Sequence, residues 1–168
     1  MALHADFWRI IAVLGDFQVW LVIIFLVLMA YFILPKSRRV KISFLLSILI
    51  LSLIVSTAIV ELLKILTQVP RPCSGDADCP STFSFPSGHA ARAFVLATAV
   101  ALSIKNFGFR LAFLVLAVLV SLSRIVLNYH TYVDIMTGAL IGISITYLVA
   151  TLYKRKSSSI KAFKRIIS

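Results

Sequence analysis

From Ile42 to Leu66 the chain runs for 25 residues with only two charges, Glu61 and Lys64, both near its far end. A run this long and this apolar fits the hydrocarbon core of a bilayer, where a helix satisfies its own backbone hydrogen bonds. Further apolar stretches cover Phe7 to Leu34, Ser87 to Ile104, Phe109 to Leu127 and Val133 to Tyr153. Gly15-Asp16 interrupts the first of these. Either the part before the break, with Trp8 and Arg9, lies along the interface while Phe17 to Leu34 spans, or one tilted helix starts at Phe7. The connections at 105–108 and 128–132 are short, so neighbouring helices run antiparallel. A 168-residue chain that is 61% hydrophobic, with mean hydropathy +1.03, has too little polar surface for a soluble domain. The expectation is an all-α integral membrane protein of about five transmembrane helices, one domain over residues 1–168. It shows no internal repeat. The first residues have neither a basic n-region nor a small-residue cleavage site, so no removable signal peptide is expected.

The charge of +11 could suggest a nucleic-acid partner, but its placement argues against one. Four of the 17 basic residues lie in 36–41, two are Lys105 and Arg110, and six follow Tyr153, with no acidic residue in those segments. That is the loop asymmetry of a membrane protein. It puts the N-terminus outside, the C-terminus in the cytoplasm, and the loops 67–86 and 128–132 together on the outer face. The basic, Ser-rich tail from Lys154 reads as a membrane-surface segment, helical or disordered. Cys73 and Cys79, the only cysteines, share the outer loop. A disulfide there suits an extracytoplasmic setting, and two unpaired thiols are the alternative.

Phe85-Pro86-Ser87-Gly88-His89 opens the third apolar run. Ser is a good N-cap, and a helix starting here directs the amides of Gly88 and His89, with the positive end of its dipole, at an anion. Taken alone the string is an ordinary helix start. Two other clusters share its depth, namely Lys64 with Arg71-Pro72, and Ser123-Arg124 with His130 and Asp134. Singly, Lys64 and Arg124 are as readily snorkelling cations, His130 an interface residue and Asp134 a helix cap. Together, three cations, two histidines and one carboxylate at one boundary make a phosphate cage. Four residues apart, Asp134 can face His130 and fix its tautomer, leaving the other ring nitrogen to attack phosphorus.

Lys-x6-Arg-Pro, Pro-Ser-Gly-His and Ser-Arg-x5-His-x3-Asp match the signature of the type 2 phosphatidic acid phosphatase (PAP2) superfamily, and residues 64–134 resemble it throughout. The resemblance implies a helical bundle with a site at the membrane surface and no metal or other cofactor. It implies His130 as the nucleophile that forms a phosphohistidine, Asp134 orienting it and His89 as the acid for the leaving group. Lys64, Arg71, Ser87, Gly88 and Arg124 would hold the phosphate. Five spans are fewer than many membrane members have. The same resemblance implies a lipid phosphate partner within the membrane, preferably a polyprenyl diphosphate such as undecaprenyl or dolichyl diphosphate, cut to the monophosphate. Phosphatidic acid or phosphatidylglycerol phosphate hydrolysis, or phosphoryl transfer to another lipid, would use the same residues. A soluble haloperoxidase is disfavoured by the spans, and a plain lipid-phosphate binder or transporter by the poised His130–Asp134 pair.

Two more expectations concern packing. Glu61 and Arg92 either orient cage residues from behind or pair with one another. Ala90, Ala93, Ala97 and Ala101 on the third span, and Gly138 and Gly142 on the fifth, are small-residue faces that can meet.

Overall fold

A computed structural model describes residues 2–33, 35–77 and 79–166, and six helices account for most of them. They are α1 (Ala2–Val13), α2 (Phe17–Ile33), α3 (Lys36–Thr67), α4 (Gly88–Ser103), α5 (Phe107–Val126) and α6 (Tyr132–Ile166). No strand occurs among the described residues. Ile42–Thr67, Phe107–Val126 and Tyr132–Lys156 are each long and apolar enough to cross a membrane. The α1–α2 pair passes the same test jointly, and α4 is apolar but shorter. These segments follow the five expected spans in order and position.

Three boundaries are settled more closely by the structure. Asp6–Val13 and Gln18–Ile33 are bent 51° at the Gly15-Asp16 break, so of the two alternatives the chain takes the broken one rather than a single tilted helix from Phe7. The basic run 36–41 forms the first turns of α3 behind Pro35, and Arg39 Nη2 donates to the Phe32 carbonyl (2.9 Å) at the end of α2. The tail from Lys154 continues α6 as helix to Ile166, and Ile167 and Ser168 lie outside the described residues.

The bundle is organised around α4, which packs on α3, α5 and α6 and has ten of its 16 residues buried. One core joins Val95, Leu96, Ala99 and Val100 of α4 to Ile48, Leu49 and Leu53 of α3, Trp20 of α2 and Ala150 of α6. Outward faces are just as apolar: Phe25, Ile54, Leu62, Leu140 and Leu148 are exposed, as suits helices solvated by lipid. The small-residue faces of α4 and α6 meet in part. Gly138 lies against the Ser87 carbonyl and the Ala90 Cβ, and Gly142 against the backbone of Ala91 and Val95. Ala93 and Ala97 instead pack on Ala117 and Val120 of α5, with Ile11 alongside. Ala90, at the head of the alanine stripe, therefore meets the glycine face, whereas Ala93 and Ala97 serve α5.

A Cβ on Gly142 would collide with backbone, which cannot swing aside as a side chain can. Gly142→Ala should lower the thermal midpoint of the purified protein in detergent, an overpacking cost of roughly 1–3 kcal/mol. Leu140→Ala, on the exposed face two residues away, should barely move it in the same melt.

Candidate active site

α3 ends at Thr67 with Gln68 in the left-handed region (φ 50°), its N–H on the Lys64 carbonyl, and the chain turns into the polar loop. Cys73 and Cys79 are joined as a disulfide, and Ser84 N–H donates to the Val69 carbonyl (2.9 Å), closing the loop on itself. These ties fix Arg71, which is buried at 7% exposure. Its Nε donates to the Thr82 carbonyl (2.7 Å), Nη2 to Thr82 Oγ1 (2.8 Å) and Nη1 to the Tyr129 carbonyl (3.1 Å). Nη1 also stands 3.2 Å from His130 Nε2.

The second string folds as a helix start. Ser87 Oγ accepts from Ala90 N–H (3.4 Å) and the Ser87 carbonyl from Ala91 N–H (3.1 Å). Ser87 N–H donates to the Asp134 carbonyl at 3.0 Å, tying the start of α4 to the first turn of α6. That first turn is a reciprocal capping box. Asp134 N–H donates to Thr131 Oγ1 (3.3 Å), and Thr131 N–H donates to Asp134 Oδ2 (2.8 Å). The same Oδ2 lies 3.4 Å from His130 Nδ1, with both side chains 2–3% exposed. Asp134 is thus both the cap and the partner of the histidine. At 3.4 Å the contact is an ion-pair approach rather than a close hydrogen bond, and Nδ1 has no other partner among the described residues.

The tautomer of His130 follows from its neighbours. A guanidinium only donates, so Nε2 accepts from Arg71, and the ring proton belongs on Nδ1, facing Asp134. Burial first, then the charges of Arg71 and Arg124, push the His130 pKa down to about 3 against the pull of Asp134. The ring is neutral at physiological pH, and its Nε2 lone pair is held on the Arg71 side. Burial likewise lowers Arg71, with Asp134, Tyr129 and Glu61 opposing.

Arg124 is buried in the last turn of α5, its guanidinium carbon 4.7 Å from the Tyr129 ring centroid. Its carbonyl accepts from Tyr129 and His130 N–H (2.9 and 3.2 Å), which carries the chain from α5 to the histidine. Its Nε is buried without a hydrogen-bond partner among the described residues. Lys64 pairs with Glu61 (2.9 Å) at the end of α3. Arg92 donates through Nε and Nη2 to the Gly15 carbonyl (3.2 and 3.0 Å). The alternative in which Glu61 and Arg92 bond each other is therefore corrected, since each finds a nearer polar group. A Cβ on Gly88 would come 3.2 Å from Arg92 Nη1, so the helix start is close-packed. His89 Nε2 lies 2.8 Å from Asp16 Oδ1.

Arg71, Ser87, His130 and Asp134 thus meet directly, and Arg124 joins through Tyr129. Sequence reasoning passed over Thr82, Tyr129 and Asp16. Thr82 and Tyr129 act largely through carbonyls, which every residue has, so no signal marks them. Thr131-x-x-Asp134 is a readable capping signal. Asp16, an acid interrupting an apolar run, is the one that invited attention.

Comparisons with known proteins bear on the family and the fold. The PAP2 superfamily model matches residues 45–158. A lipid A 4′-phosphatase of Helicobacter pylori (strain J99) is 35% identical over 88 residues, 51% of this chain and 40% of that protein. The chain thus aligns with less than half the length of that curated relative. Among solved structures, LpxE of Aquifex aeolicus is 28% identical with TM-score 0.73, covering 90% of this chain and 87% of its own. A transmembrane PAP2-type phosphatidylglycerolphosphate phosphatase from Bacillus subtilis shares the fold (TM-score 0.77, 22% identity, 92% and 79% covered).

The lowered pKa has a sign that can be tested. His130 should stay neutral as pH falls from 8 to 5, seen as an unshifted ring signal in ¹⁵N-histidine NMR. In Arg71→Gln one of the charges depressing it is gone, so protonation should begin at higher pH.

Proposed function

Because the chain belongs to the PAP2 superfamily and is a multi-pass membrane protein, we propose that it is a metal-independent phosphatase of a membrane lipid, with its site on the extracytoplasmic face. One observation carries this reading: His130 presents an unprotonated Nε2 3.2 Å from Arg71, with Asp134 behind Nδ1. A bound phosphate would take over the Arg71 donors, bringing phosphorus to the nitrogen they now engage. Arg71, Arg124 and the first amides of α4 would hold the equatorial oxygens, where charge develops. Lys64, already drawn to Glu61, adds charge from the end of α3.

In the first step the Nε2 lone pair forms the P–N bond as the P–O bond to the lipid breaks. The released electron pair takes a proton from His89, so the lipid leaves as a neutral alcohol. Asp134 stabilises the charge that the His130 ring acquires. In the second step water attacks the phosphohistidine, its proton goes to His89, and the electrons of the P–N bond return to Nε2. Binding alone needs no such pair of histidines, which disfavours the binder and transporter readings.

The short α4 bears on access. Sixteen residues rise about 24 Å at 1.5 Å each, less than the roughly 30 Å hydrocarbon core. Its N-terminal site would then be recessed from the headgroup layer, reachable by a substrate that never leaves the bilayer. The disulfide and the basic inner segments support the outward orientation. For substrate, the relative named a lipid A 4′-phosphatase puts a phosphate monoester on a saccharolipid first, ahead of the polyprenyl diphosphate expected from the motifs.

The test is phosphate release in detergent with chelator present, offering a lipid A phosphate, phosphatidylglycerol phosphate, phosphatidic acid and a polyprenyl diphosphate in parallel. His130→Ala should abolish turnover with the melt unchanged; near-normal release would remove it as nucleophile. Asp134→Asn should cut the rate roughly 10²-fold or more, by analogy with other orienting carboxylates. Orthovanadate should inhibit, and an activity that vanishes in chelator would overturn metal independence.

A further inference from the structure

The break between α1 and α2 reaches into the site from 73 residues away in sequence, at a point the phosphatase motifs do not include. Gly15 lies so near the His89 ring that a Cβ there would come 2.5 Å from Cδ2, and 2.8 Å from Val120 Cγ1 on α5. Only glycine permits that approach. The Gly15 carbonyl, freed by the break, takes two donors from Arg92, one helical turn beyond His89 on the same face of α4. The break is thereby fixed on both sides, and Asp16 is delivered to the imidazole with Oδ1 2.8 Å from Nε2.

We propose that Asp16 is a positioning residue for His89: by accepting from Nε2–H it makes Nδ1 the nitrogen that passes the proton to and from the leaving oxygen. This rests on the phosphatase reading above and deepens it. A carboxylate oxygen accepts, so at this distance Nε2 carries the hydrogen. Nδ1 then changes state: protonated, it gives its proton to the lipid oxygen as the P–O electron pair departs; unprotonated, it takes one from the attacking water. Arg71, Arg92, Arg124 and His130 are the other charged or titratable groups whose fields reach His89. Among the described residues Asp16 is the carboxylate in contact with the ring, and it balances the positive charge of the doubly protonated form. The ring is 15% exposed and the carboxylate 48%, so the pair runs from a largely covered ring to the surface of the bundle.

A structural role and a positioning role separate by leaving group. Two lipid phosphates with the same alkyl tail would be compared, one an ester of a simple alcohol and the other of a nitrophenol, which leaves without needing a proton. The quantity read is kcat/KM, which covers the steps up to departure of the leaving group. Asp16→Asn should lower it about tenfold or more for the alkyl ester, part of the 10²–10⁴ that general acid catalysis supplies. For the aryl ester the loss should stay within about threefold, which also certifies the fold. In a His89→Ala background, Asp16→Asn should cost nothing further on the alkyl ester, because a group that acts through another is not additive with it. Equal losses on both esters, no loss on either, or an additive loss without His89 would each overturn the assignment. If the unaltered protein cleaves neither ester, the phosphatase reading fails and this one with it. If it cleaves both and Asp16→Asn does not discriminate, only the role of Asp16 falls.

Discussion

The site depends on how closely α4 approaches α6. Gly138 lets the first turn of α6 come against the Ser87 carbonyl, and the Ser87 N–H reaches the Asp134 carbonyl at 3.0 Å. Two motifs more than forty residues apart are thus joined backbone to backbone. Their side chains are not spent on holding the helices together. Asp134 closes its own capping box and still faces His130. A side chain wedged at position 138 would separate Ser87 from Asp134 and dismantle the site without touching a catalytic group. That is why a packing glycine here has functional weight, whereas Gly75, with open space around it, does not.

The same approach concentrates positive charge. Arg71 and Arg124 are each 7% exposed, and Asp134 is the one buried carboxylate among the described residues. Removing cations from water costs several kcal/mol apiece unless partners replace it. Arg71 finds carbonyls and a hydroxyl, and Arg124 finds an aromatic face but leaves Nε unsatisfied. Neutral acceptors compensate such cations only partly, so a dianion entering the cage would meet donors whose desolvation has already been borne by folding. Preorganisation of this kind favours charge that develops late in a reaction over charge already spread in the ground state.

Much of this was legible in the sequence, and the exceptions share a cause. Hydropathy located the five apolar segments because a bilayer imposes length and apolarity on whatever crosses it. The three short motifs named Arg71, His130 and Asp134, which the fold does bring into contact, because their residue types and spacings are unusual in an apolar chain. What could not be read was which face of each helix meets which neighbour. In lipid the outward face is as apolar as the inward one, so amphipathic periodicity, the usual guide, is erased. Ala90 of the alanine stripe therefore meets α6 while Ala93 and Ala97 pack on α5, and Asp16, though conspicuous as an acid in an apolar run, carried no sign that its contact is His89. Glu61 and Arg92 found partners one turn away and across the bundle, a choice set by three-dimensional reach rather than sequence distance.

The N-terminal break shows how polar backbone can be kept in an apolar setting. Interrupting a helix at Gly15 releases carbonyls and amides that need new partners wherever water does not reach them. Here Arg92 supplies two donors to the freed carbonyl, and the turn is covered by His89 and Val120. The dependence runs both ways: Arg92, in the second turn of α4, finds its acceptor in the carbonyl that the break exposes. The break and the cation are each tolerable only with the other, so they stand or fall as a unit. Asp16 belongs to that unit, which makes its place beside His89 a consequence of how α1 and α2 are anchored on α4 rather than a chance surface contact.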